Sequence, residues 1–135
     1  MSFVLDITAI ITYLSDLKGA DLLEEILEKA SKGKARIYVN CLTISELYHV
    51  IGSEYTTKKA NETVAAVKKW PISLVPLDEG IALSAGRIAV ESGVSLQDAV
   101  VIATAMDKDA AVVTSNQKIA EFFEDTIVLG IDGDE

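Results

Sequence analysis

Five short apolar runs alternate with stretches of helical periodicity along the chain, and this alternation limits the folds the chain can adopt. The runs are rich in β-branched and aromatic residues, which favours strands, and they span residues 3–5, 36–39, 72–75, 111–114 and 126–129. Strands separated by helices pair in parallel, because each helix returns the chain to the starting edge of the sheet. We therefore predict an α/β fold, a three-layer α/β/α sandwich with a mostly parallel central sheet.

The segments between these runs carry helical patterns. The clearest is an apolar stripe at helical spacing over residues 22–30, followed by Gly33 as a helix-ending signal. Two further segments fill residues 43–70, with a joint expected near Gly52 and residues 55–57, and Gly93 is expected to stop another helix. The remaining helices are predicted over residues 8–14, 78–92 and 96–107, and a last helix is predicted after the strand at 111–114 and through residue 123.

Length and composition indicate one domain over residues 1–135. The chain has no repeats, no linker and 50% hydrophobic residues, which argues against disorder, and we expect a solvated tail at residues 132–135. The apolar run at 99–105 is too short to span a membrane, and no export signal opens the chain. The only cysteine, Cys41, cannot form an internal disulfide and is expected to be buried. These features predict a cytoplasmic protein.

The net charge of −9 argues against a surface that wraps nucleic acid by bulk attraction. A local basic groove remains compatible with that charge, because steering depends on where the charges lie. Lysines do gather over residues 58–69, where an exposed helical face is the simpler interpretation.

Polar residues stand just past the ends of predicted strands or at the start of a predicted helix. Asp6 follows the first strand, Glu46 follows the second by about one turn, Asp98 opens a helix and Asn116 follows the fourth strand. The carboxyl ends of parallel strands converge on one crevice. Clustered carboxylates are costly there unless a cation neutralises them, so the pattern predicts a Mg²⁺ or Mn²⁺ site.

Helix capping is the competing interpretation of the same acids. Residues 43–46 and 95–98 both read as capping boxes, and Asp6 could cap the first helix. Capping explains each acid alone but does not require them all to fall at one end of the sheet. The two roles are compatible, since a first-turn acid still points free oxygens into the crevice.

Four motifs in this order and spacing resemble those of PIN-domain nucleases, and the small size is most similar to VapC-type toxins of toxin–antitoxin pairs. The resemblance covers residues 3–123. The motifs are Val4-Leu5-Asp6-Ile7-Thr8-Ala9, Leu42-Thr43-Ile44-Ser45-Glu46-Leu47, Leu96-Gln97-Asp98-Ala99-Val100-Val101-Ile102-Ala103-Thr104-Ala105 and Val112-Val113-Thr114-Ser115-Asn116.

The resemblance implies a metal-dependent ribonuclease that uses Mg²⁺ or Mn²⁺. Asp6, Glu46 and Asp98 match the first three acidic positions of the family. Asn116 takes the fourth, where an aspartate is common, and Glu121 one turn later is a possible substitute acid. Asp6 and Asp98 are the expected metal ligands, and Glu46 would bind a second ion or position the attacking water.

The expected surroundings of the metal include hydroxyl groups that orient a carboxylate or phosphate, namely those of Thr8, Thr114 and Ser115. The expected partners are the RNA substrate, a second copy of the chain in a homodimer and an antitoxin, with the apolar helices of residues 43–70 as contact surfaces. A non-catalytic PIN-like interaction domain is the main alternative. A receiver-type signalling domain also clusters acids at strand ends but fits the pattern less well.

Overall fold

The computed structural model describes residues 1–130, so the predicted solvated tail at 132–135 lies outside the described residues. The strands are β1 Ser2–Leu5, β2 Arg36–Asn40, β3 Ser73–Val75, β4 Ala111–Thr114 and β5 Thr126–Val128. The helices are α1 Ile7–Leu14, α2 Ala20–Ser31, α3 Cys41–Glu54, α4 Thr57–Val67, α5 Glu79–Ser92, α6 Leu96–Lys108 and α7 Gln117–Phe122. All five predicted strands and their alternation with helices are confirmed.

Every strand pair in the sheet is parallel, and the strand order is β3-β2-β1-β4-β5. The order reverses between β1 and β4. Strands β2 and β3 add successively on one side of β1, and the chain then crosses to the other side of β1 to add β4 and β5. Ligands of open α/β sheets bind outside the carboxyl ends of the strands at such a reversal. A receiver-type domain has the order 2-1-3-4-5 instead, so that alternative is wrong.

The sheet is covered by helices on both faces. Alternate residues of β1 point to opposite sides, so Val4 belongs to the buried cluster that includes residues of α5, α6 and α7, while Phe3 and Leu5 belong to the cluster that includes residues of α1 and α2. Strands buried on both faces read as continuous apolar runs, which is the pattern of the sequence. The predicted three-layer α/β/α sandwich is therefore confirmed.

Helix α3 begins two residues earlier than its sequence pattern indicates. Asn40 is its N-cap, and the side-chain oxygen of Asn40 accepts a hydrogen bond from the Leu42 backbone N–H. Cys41 consequently occupies the first helical position with an exposed side chain, so the expectation that it is buried was wrong. The break between α3 and α4 falls at Tyr55 and Thr56, whereas Gly52 lies inside α3.

Helices α5 and α6 follow each other along the chain with only residues 93–95 between them. In the described part of the chain no single helix is long and apolar enough to cross a membrane. The two helices meet the criteria of length and composition only together, and the pair is bent by 118°. Gly93 ends α5 in the left-handed conformation, with φ 76°, as its place in the sequence predicted.

Candidate active site

The site lies at the carboxyl ends of β1 and β4, where the strand order reverses. Asp6 directly follows β1, and its backbone N–H donates to the Val113 carbonyl of β4 at 3.3 Å. Asn116 follows β4 by two residues and caps α7. The two neighbouring strands therefore deliver one acid and one amide to the same edge of the sheet.

The Asp6 carboxylate is buried, with 2% of the residue exposed, and is held from two elements. Its Oδ1 accepts from the Ala9 backbone N–H at 2.9 Å and from Thr8 Oγ1 at 2.6 Å. Its Oδ2 accepts a short hydrogen bond from Thr114 Oγ1. Asp6 thus caps α1, as the sequence allowed, while its second oxygen is oriented by β4.

Both threonine hydroxyls also accept hydrogen bonds from the backbone that follows β4. The Ser115 N–H donates to Thr8 Oγ1 at 2.8 Å, and the Asn116 N–H donates to Thr114 Oγ1 at 2.9 Å. Because each hydroxyl donates to Asp6 and accepts from this loop, the loop and the carboxylate are locked together. The Ser115 hydroxyl does not join them, since it lies 3.4 Å from Thr12 Oγ1.

Asp98 lies in the first turn of α6, where Ser95 is the N-cap. Ser95 Oγ accepts from the Asp98 backbone N–H at 3.1 Å, as the sequence predicted for the start of this helix. The Asp98 carboxylate is aimed elsewhere, because its Oδ2 accepts from Asn116 Nδ2 at 2.8 Å. The Asn116 Oδ1 in turn accepts from the Lys118 N–H at 3.1 Å. Asn116 therefore caps α7 and orients Asp98 at once.

Glu46 lies in the second turn of α3 and is half-buried. Burial is the main cause that raises its pKa to about 7, and repulsion by Asp98 and then Asp6 adds to the effect. The capping box expected over residues 43–46 was wrong, because Asn40 caps the helix three residues earlier. Glu46 is thus free of that local role and shares an electrostatic environment with the two other acids.

Burial also raises the pKa of Asp6 above its ordinary value of 3.8. The hydrogen bonds from Thr114, Thr8 and Ala9 oppose this rise, and repulsion by Asp98 reinforces it. Repulsion by Asp98 contributes to both shifts, and a cation placed among the acids would offset that repulsion.

The donor set suits a hard cation, because it consists of carboxylate oxygens flanked by hydroxyl groups. Within residues 1–130, no three acidic, histidine or cysteine side chains are arranged so that they could hold one ion together. Mg²⁺ fits such a site nonetheless, since it commonly keeps several waters and uses only one or two carboxylates.

The possible substitute acid, Glu121, lies away from the three acids of the site. Glu121 is exposed on α7 and lines a cleft with Glu91, Ser92 and Lys118, and none of the three acids contributes to that cleft.

Sequence reasoning missed Asn40, which is fully buried at the end of β2. Its Nδ2 donates to Thr104 Oγ1 on α6 at 3.0 Å, while its Oδ1 caps α3. The signal was available, because an amide directly after a strand and before a helix is the pattern that drew attention to Asn116.

Comparisons with known proteins give a family and a fold. The model of the PIN domain matches residues 3–123. The structure of VapBC2 from Rickettsia felis, bound to a promoter DNA fragment, superposes with a TM-score of 0.75 at 12% identity, covering 95% of this chain and 97% of that chain. DNA-bound VapBC from Salmonella typhimurium gives a TM-score of 0.72 at 19% identity and 95% and 96% coverage.

A third solved structure is VapC20 from Mycobacterium tuberculosis, described as a toxin that cleaves the sarcin-ricin loop. It superposes with a TM-score of 0.64 at 12% identity, and the match covers 90% of this chain and 97% of that chain. The comparison with curated proteins found no match. At these identities the likeness of the solved structures establishes a shared fold.

Proposed function

Because this chain belongs to the PIN-domain family, a family of nucleases whose model matches residues 3–123, we propose that it is a divalent-metal-dependent endoribonuclease and the toxin of a type II toxin–antitoxin pair. The observation that carries the proposal lies where the strand order reverses, since hydrogen bonds through Thr114 and Asn116 join the carboxylates of Asp6 and Asp98 there. Glu46 is the third acid, near enough to Asp6 and Asp98 for their charges to raise its pKa. These three residues come from three different elements, and local capping needs no such convergence.

PIN nucleases generally use divalent metals, and the proposed ion is Mg²⁺ or Mn²⁺. Asp6 and Asp98 would hold it, and Glu46 would hold a second ion or position the attacking water. When bound, such an ion lowers the pKa of water and stabilises the oxygen that leaves phosphorus. The protein contributes orientation, because Asp6 is fixed by Thr8 and Thr114.

Glu46 is the acid best suited to accept a proton. A general base works best when its pKa lies near the working pH, and the pKa of Glu46 is raised to about 7. Its carboxylate would take the proton of the attacking water at Oε1 or Oε2. Asp98 is held by the Asn116 amide, so it serves as a fixed acceptor rather than as a proton carrier.

The proposed partners are RNA, a cognate antitoxin and a second copy of the chain. Support for the antitoxin comes from the VapBC complexes among the similar structures, and support for RNA comes from the description of VapC20. We place the protein in the cytoplasm, where its RNA substrate and a reducing environment for the exposed thiol of Cys41 are both found.

The direct test is cleavage of structured RNA by the purified protein with Mg²⁺ or Mn²⁺. Asp98→Asn keeps the shape of the side chain and removes the charge, so we expect a loss of roughly 100-fold or more in kcat. A chelator should have a comparable effect on the unmodified protein. Glu24→Gln, an exposed change on α2 that also removes one charge, is the matched control and should retain activity. Unchanged cleavage by Asp98→Asn would refute the assignment.

A non-catalytic interaction domain is the second candidate, and the amide at position 116 favours it. The two proposals differ in metal binding to the folded protein. An ion that binds only the folded state must stabilise it, by about 2.7 kcal/mol at 100 times its Kd. A melting temperature that rises with Mn²⁺ concentration supports the nuclease, and one that stays constant supports the interaction domain.

A further inference from the structure

Two buried polar side chains join the elements that carry Glu46 and Asp98. Asn40 ends β2 and Thr104 lies in α6, and both residues are fully buried. Asn40 Nδ2 donates to Thr104 Oγ1 at 3.0 Å across a sequence separation of 64 residues. Thr104 is the only polar residue in the buried stretch 99–105 of α6, so its hydroxyl interrupts an otherwise apolar surface.

Every polar atom of this pair is used. Asn40 Oδ1 accepts from the Leu42 N–H at 2.9 Å, and Thr104 Oγ1 donates to the Val100 carbonyl at 2.7 Å. A buried amide or hydroxyl is costly unless it is paired, and an apolar pair of the same shape would fill the space at less cost. We therefore expect the pair to contribute what apolar packing does not, namely a fixed position and tilt of α3 relative to α6.

The positions of Glu46 and Asp98 depend on the relative tilt of the two helices. Glu46 follows Asn40 by six residues and Asp98 precedes Thr104 by six, so each acid lies about 9 Å along its helix from the hydrogen bond. A tilt of about 6° in either helix would then shift its acid by roughly 1 Å. Misplacement of a reacting group by about 1 Å can cost roughly 100-fold in rate.

We propose that Asn40 and Thr104 are positioning residues, and that their hydrogen bond sets the separation of Glu46 from Asp98. The inference rests on the proposed function for its catalytic meaning. Asn40 is suited to the task because it ends β2, caps α3 and reaches α6 with one side chain. Neither residue touches the substrate in this proposal, so both act through the acids.

The test compares three variants of the full chain. Thr104→Val keeps the shape and removes the acceptor, whereas Thr104→Ser keeps the hydroxyl. Asn40→Ser retains an N-cap for α3 but is too short to reach α6, so it gives a second probe if Thr104→Val folds poorly. Leu27→Ala on α2 is the control for lost stability, because it leaves a cavity on the other face of the sheet.

Two readouts separate positioning from mere stability. We expect Thr104→Val and Asn40→Ser to weaken Mn²⁺ binding about tenfold in calorimetry, as loss of an orienting partner does in other metal sites. Without metal, crystal structures of the same two variants should show the carboxyl carbons of Glu46 and Asp98 displaced relative to each other by about 1 Å. Thr104→Ser should restore both values, and Leu27→Ala should change neither.

A fall in melting temperature without change in Mn²⁺ affinity or in the separation of the Glu46 and Asp98 carboxyl groups would overturn the proposal, and so would equal effects in Leu27→Ala. Failure of the unmodified protein to bind Mn²⁺ would overturn the proposed function instead. The separation of the two carboxyl groups in the metal-free crystal structures would still decide whether the hydrogen bond sets the placement of the acids.

Discussion

Asn116 illustrates how a single residue changes the character of the site. An aspartate is common at this position of the family, and a carboxylate there would face Asp98 with like charge. The amide instead donates to Asp98 Oδ2 at 2.8 Å, so it orients the acid and lowers the density of negative charge. Because the amide already satisfies one oxygen of Asp98 and adds no charge, we expect the site to attract a cation less strongly than it would with a carboxylate at position 116.

The variant Asn116→Asp tests this account. It removes the donor and adds a charge, so we expect Mn²⁺ binding to tighten about tenfold, or roughly 1.4 kcal/mol, in calorimetry. The melting temperature in a chelator should fall, because two carboxylates then face each other without compensation. Asn61→Asp, an exposed change on α4, adds the same charge and should alter neither property. Equal Mn²⁺ binding in all three proteins would place Asn116 outside the metal site.

At the scale of elements, the N-caps decide where the acids stand. Asp6 caps α1, Ser95 caps the helix of Asp98, and Asn40 caps the helix of Glu46. An N-cap fixes the first turn of a helix by satisfying a free backbone N–H. Capping and the proposed catalytic role are therefore compatible in this fold, since Asp6 is itself a cap and the caps of α3 and α6 fix the starts of the helices that carry Glu46 and Asp98.

Two N-cap substitutions that each remove one hydrogen bond distinguish the effect of lost stability from the effect of a displaced Asp98. Ser95→Ala and Thr56→Ala each delete one side-chain bond to a backbone N–H, at Asp98 and at Lys59 respectively. Each should cost about 1 kcal/mol in the free energy of unfolding measured with urea. Only Ser95→Ala should also reduce RNA cleavage and Mn²⁺ affinity, because Asp98 lies in the turn that loses its cap. A matching loss of cleavage in Thr56→Ala would show that stability alone explains the effect.

At the scale of the whole molecule, the buried acids of the site make the free energy of unfolding depend on pH. The chain carries a net charge of −9, and burial raises the pKa of both Asp6 and Glu46. An acid whose pKa is raised on folding favours the folded state while it is protonated. That contribution is lost as the pH rises through the folded pKa.

For Glu46 the loss falls between its ordinary pKa of 4.5 and about 7, where the unfolded chain is ionised and the folded protein is not. The metal-free protein should therefore be more stable to urea at pH 5 than at pH 8. Glu46→Gln should narrow the difference, whereas the exposed change Glu24→Gln should leave it as it is. An undiminished difference in Glu46→Gln would assign the pH dependence to other groups.

The sequence alone determined the elements and the candidate acids. Strand and helix patterns depend on neighbours within a few residues, so all five strands were predictable, and so were the helix ends at Gly93 and Ser95. The start of α3 was misplaced, because Asn40 was taken neither as a strand end nor as a cap.

Only the tertiary structure decided the strand order, the raised pKa of Glu46 and the Asn40–Thr104 hydrogen bond. Each depends on contacts between segments far apart in the sequence, and no local pattern specifies which helix will face which. The clustering of the acids could be expected from a parallel sheet, whereas the hydrogen bonds of Thr114 to Asp6 and of Asn116 to Asp98 arise only where β1, β4 and α6 meet.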